Sequence, residues 1–114
     1  MINVKDIYDK ANSIAGMSQE KFITSFNEAI LQLLSRYEER YVFENATPRD
    51  VVSIDERAPI HSEWKSPILN YVIYLKTGDS LRKNEYDTSL DYAYRTVWKK
   101  RLGIGKRFKT ARWY

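Results

Sequence analysis

Ser18-Gln19-Glu20-Lys21-Phe22-Ile23-Thr24-Ser25-Phe26-Asn27-Glu28-Ala29-Ile30-Leu31-Gln32-Leu33-Leu34-Ser35-Arg36-Tyr37 is the stretch that decides the fold. Phe22, Phe26, Ala29, Ile30, Leu33 and Tyr37 recur at the spacing of one helical face, and Ser18 stands where a hydroxyl caps the first free N–H groups. Glu28, Gln32, Ser35 and Glu39 fall mostly off that stripe. The far side is therefore solvated, and the near side must bury against another element.

Working outward, Asn3 can cap a first helix from about Val4 to Ala15, with Ile7, Ala11 and Ile14 at helical spacing and Gly16 as its stop. Downstream, Arg40 to Asp55 changes character. Tyr41-Val42-Phe43 and Val51-Val52-Ser53-Ile54 are β-prone runs flanking Glu44 to Asp50, which predicts a hairpin with a long loop. The competing reading has Thr47 capping a short helix with Pro48 at its first position. Asp55 to Lys65 reads as a polar connector.

Ser66-Pro67 signals a third helix, because proline pushes its predecessor out of the helical region and itself suits a first turn. Ile68, Leu69, Val72, Ile73 and Leu75 make that helix apolar on more than one face, so it is the expected centre of the core. Thr77-Gly78-Asp79-Ser80 ends it and caps a fourth helix, about Leu81 to Arg101, roughly 30 Å long at 1.5 Å per residue. Tyr86, Leu90, Ala93 and Val97 share one face, with Arg101 continuing it. Gly103-Ile104-Gly105 closes the helix. The expected architecture is mainly α: a small bundle of about four helices over residues 1–103, a β-hairpin or extended-loop insertion at 40–55, and an extended arm over 104–114. Its expected core is Phe22, Phe26, Ile30, Leu33, Leu69, Val72, Leu75, Leu90 and Val97.

A chain of 114 residues with 43% hydrophobic and 30% charged side chains has enough material for one folded core, and its composition argues against wholesale disorder. It contains no cysteine, which excludes disulfides, thiolate metal sites and thiol redox chemistry. The N-terminal residues lack a secretory pattern and no apolar run approaches the ~20 residues of a membrane span, so a soluble protein is expected.

Charge is segregated. Residues 92–114 carry 8 basic and no acidic side chains, while residues 1–91 carry 11 basic against 15 acidic ones, a net −4. A concentrated field of this kind attracts a polyanion or an acidic protein surface. The nine Tyr and three Trp also suit a chain that meets other macromolecules, since such rings are enriched where protein surfaces join.

No catalytic motif or cofactor site is expected. His61 is the only histidine, without a second ligand or nucleophile at interpretable spacing, and reads as a solvated loop residue. Gly103-Ile104-Gly105 lacks the third glycine of a phosphate loop. Asp55 with Glu56, and Asp87 with Asp91, read as charge on wet faces. The arm competes as a functional element: Lys106, Arg107, Lys109 and Arg112 alternate with Phe108, Trp113 and Tyr114. Such an arm can anchor in a groove of a neighbouring subunit, or neutralise phosphates while its rings stack on bases. Arg95, Lys99, Lys100 and Arg101 are candidates for DNA or inter-subunit contact.

The order of these signals resembles the head-to-tail adaptor, or connector, proteins of tailed bacteriophages. The likeness lies in Phe22-x3-Phe26-Asn27-Glu28-Ala29-Ile30 leading to Leu34-x2-Tyr37, then Ala58-Pro59-Ile60 and Trp64 before the helix from Pro67 to Leu75. Gly78-Asp79 and the aromatic face of Tyr86, Tyr92 and Tyr94 complete it. It covers roughly residues 2–101 and consists of patterning and element order rather than an invariant signature. The resemblance implies a virion neck protein, assembled in the host cytoplasm into a dodecameric ring beneath the portal. Such a ring extends the DNA channel and presents a surface to the tail or a stopper. The family's C-terminal region commonly reaches toward the portal, but this arm is more basic and aromatic than in its simplest members. The rival class is a small basic nucleic-acid-binding protein.

Overall fold

Five α-helices and a two-stranded antiparallel ribbon make up the described residues, 1–102, of a computed structural model. Helix α1 spans Val4–Ala15 and buries Val4, Ile7 and Ala11, whereas Ile14 faces outward. Asn3 occupies its N-cap position without a side-chain cap bond. Residues Ile2–Asn3 instead form β1, paired with β2 at Arg57–Ala58 in the register Ile2 to Ala58 and Asn3 to Arg57. The helix ends at Gly16, whose φ of 61° favours glycine, and Asn12 then accepts the Met17 N–H through Oδ1 at 3.0 Å.

Helix α2, Gln19–Arg36, is capped as its sequence predicts: Ser18 Oγ accepts the Lys21 N–H at 3.2 Å. Phe22, Phe26, Ala29, Ile30 and Leu33 are all buried, and Tyr37 is half-buried just past its end. Each large side chain so buried contributes about 1.5–3 kcal/mol before chain entropy is counted.

Helix α4, Lys65–Thr77, begins directly from a 3₁₀ turn at Ser62–Trp64, slightly ahead of the Ser66-Pro67 signal. Pro67 sits in its first turn, where the missing N–H is not needed. α4 packs on α1, on α2 and on α5, the last spanning Ser80–Leu102, and so occupies the middle of the domain as expected. Leu75 departs from the expected core at 43% exposure, and Leu69 is only partly buried. Gly78, in the left-handed region with φ 70°, donates to Tyr74 O at 2.7 Å and turns the chain into α5. α5 buries Tyr86, Leu90, Ala93 and Val97 along the stripe read from its sequence.

The insertion takes the extended-loop form. Tyr41 and Val42 belong to a single helical turn, α3 at Glu39–Val42, and neither β-prone run pairs with the other. Thr47 and Pro48 start no helix. Longer-range partners override the local preference. Phe43 bridges to Ile60, His61 N–H donates to Val42 O at 3.0 Å, and Glu44 N–H donates to Pro59 O at 2.8 Å. Val51 is clamped to α2 by the Asn27 carboxamide, which donates to Val51 O at 2.9 Å and accepts from Val51 N at 2.8 Å. Glu56 closes the turn between them: Oε2 accepts the Val52 and Ser53 N–H groups and Oε1 meets Arg49 at 2.6 Å. Burial pushes the Glu56 carboxyl up, but these bonds outweigh it and hold the group below the usual carboxylate range.

The supposed polar connector is a core element. Ala58, Ile60 and Trp64 are each 1% exposed or less, because this extended strip lies between β1 and the Val42–Glu44 segment. Trp64 Nε1 donates to Tyr41 O at 2.7 Å, which lets the whole indole go inside.

Candidate interaction surface

The cationic end of α5 is joined to the body by an aromatic cluster. Tyr37 stacks on Tyr94 at 4.8 Å and tilts against Trp64 at 5.1 Å, while Tyr41 meets Tyr94 edge-on at 5.5 Å. The Arg101 guanidinium lies 5.9 Å from the centre of the Tyr41 ring. Lys100 Nζ reaches Glu63 at 3.2 Å, and Arg95 pairs with Asp91 at 3.2 Å one helical turn back. Three of the four α5 cations read from the sequence are thus engaged within the domain, and Lys99 is exposed with no ion-pair partner among the described residues. The arm residues Lys106, Arg107, Phe108, Lys109, Arg112, Trp113 and Tyr114 lie outside the described residues.

His61 overturns its reading as a solvated residue. It is 4% exposed, its Nε2 lies 3.3 Å from Arg40 O, and its Nδ1 has no partner among the described residues. Burial and the nearby Lys100 charge push its pKa below the ordinary histidine value. Its neighbourhood is structural: the backbone bond to Val42 on one side and the 3₁₀ turn on the other. Three of the four carboxylates considered as acid–base pairs are engaged, Asp87 with Lys83 at 2.9 Å, Asp91 with Arg95, and Glu56 with its loop. Among the described residues no group of three or more His, Cys, Asp or Glu converges in a metal-like cluster, and no helix is long and apolar enough to cross a membrane.

Among the described residues a groove of about 700 Å³ opens between α4 and α5. Pro67 and Asn70 line it from α4, and Leu81, Glu85, Ser89 and Tyr92 line it from α5, with Glu63 also on the wall. These α5 positions follow helical spacing on a face turned away from Tyr86, Leu90, Ala93 and Val97, so α5 presents apolar groups on two sides. Leu81 is 67% and Tyr92 74% exposed, unusually open for side chains of their size. Asn70, nearly buried, accepts from Arg82 Nη1 at 3.3 Å and contributes a carboxamide to the lining. Glu63 and Glu85 also line it, each already paired with a cation, Lys100 at 3.2 Å and Arg82 at 3.6 Å respectively, and among the described residues no lysine, arginine or histidine lines it. Burial raises the Glu63 pKa, but its backbone bond and Lys100 bring it net below the usual range, so it is anionic at neutral pH.

Sequence reasoning missed this groove because it belongs to the outer face of α5. The available signal was Leu81-x10-Tyr92, two large apolar residues three helical turns apart and off the buried stripe. No family model, curated protein or solved structure matches the chain.

Proposed function

We propose that this chain is a structural assembly subunit, a head-to-tail adaptor of a tailed-bacteriophage neck that works by docking rather than by chemistry. In this reading it forms a ring below the portal, receives the tail or a stopper on its other side, and lets DNA pass through the channel without sequence readout. The observation that carries the proposal is the pairing of two unlike features on one chain. An apolar-lined groove opens between α4 and α5, and an acid-free segment follows from Tyr92 onward. A ring is built from repeated heterologous contacts and needs two different, complementary faces on each subunit. The order of elements supports the same reading, since the helices and the proline- and tryptophan-bearing strip come in the succession that resembles the adaptor family.

The nucleic-acid rival rests on the same cations. It is weakened by the engagement of Arg95, Lys100 and Arg101 with Asp91, Glu63 and Tyr41, which leaves less of the helix charge directed at phosphate.

Light scattering of the full chain, alone and with a candidate portal protein, tests the proposal beside a DNA titration at several salt concentrations. A discrete high-order oligomer that attaches to the portal supports the adaptor. Submicromolar DNA affinity of a monomer with a steep salt slope refutes it in favour of the rival. Removing residues 106–114 is expected to leave a folded subunit that no longer attaches to its ring partner.

A further inference from the structure

We draw no further inference here: the strongest candidate, the groove between α4 and α5 where Leu81 and Tyr92 stand open, carries nothing because its carboxylates Glu63 and Glu85 are already paired with Lys100 and Arg82 and nothing among the described residues shows what covers it.

Discussion

Asn27→Ala is the substitution that probes how the long loop is held to the bundle. Asn27 makes two hydrogen bonds of 2.9 and 2.8 Å to the backbone of Val51, 24 residues away, while the Val51 side chain is 2% exposed. Each neutral bond is worth about 1 kcal/mol net, and leaving partly buried peptide groups without partners adds to the loss, so about 2–3 kcal/mol of stability should disappear. That is a large share of the ~5–15 kcal/mol that holds a domain of this size together. Urea unfolding followed by tryptophan fluorescence reads the global loss, and amide exchange at Val51 reads the local one. The Val52 and Ser53 amides should change less, because Glu56 rather than Asn27 accepts them. Asn27→Asp sharpens the test. The ionised carboxylate still accepts the Val51 N–H but faces Val51 O with no donor, whereas the protonated acid restores both bonds. Its folded pKa is therefore raised above the ~3.9 of a free aspartate. The stability recovered is fully present below the unfolded value and is lost as pH rises through the folded one. An Asn27→Ala chain within about 0.5 kcal/mol of wild type, or an unchanged Val51 exchange rate, would refute the clamp.

The remaining predictions concern buried polar groups. His61 has a folded pKa below its ordinary 6.5. The unfolded chain therefore takes up a proton first as pH falls, and stability should decline from about pH 6.5 downward; His61→Gln is expected to flatten that part of the profile in urea titrations. Tyr86 is buried, its hydroxyl has no partner among the described residues, and burial pushes its pKa up to about 12. Tyr86→Phe should leave thermal stability unchanged or raise it by up to about 1 kcal/mol, and a clear loss would show that the hydroxyl is satisfied in solution. Trp64→Phe removes the 2.7 Å bond to Tyr41 O and opens a void in a fully buried site, so a loss of about 2–4 kcal/mol is expected in the same unfolding assay.

What could be read from the sequence is what local periodicity controls. Ser18 as a cap, Gly16 and Gly78 as turn points, the Phe22 to Leu33 stripe and the Tyr86 to Val97 stripe all reappear in the structure, since each depends on neighbours within one or two helical turns. Residues 40 to 64 could not be read this way. Val51 depends on Asn27, Phe43 on Ile60, and Trp64 on Tyr41, so their order comes from partners 17 to 24 positions distant. His61 followed the same rule: it is buried by a segment to which no local pattern assigned it. Leu75 erred in the other direction, being apolar at the last turn of α4, where the packed neighbours run out. The candidate groove was hidden because Tyr92 reads as one aromatic face with Tyr86 and Tyr94, whereas Tyr86 is buried and Tyr92 is 74% exposed on a different side of α5, together with Leu81.

The central position of α4 bears on how the chain acquires its shape during synthesis. α1 and α2 emerge first but lack the surface they pack on until α4 follows, and α4 in turn keeps one flank uncovered until α5 is made. The nascent polypeptide is therefore expected to have no stable halfway stage in which its early helices stand complete. Chaperones that shelter apolar segments at the ribosome would hold this chain until its last long helix has emerged, and a truncation within that helix would leave a sticky intermediate rather than a smaller domain.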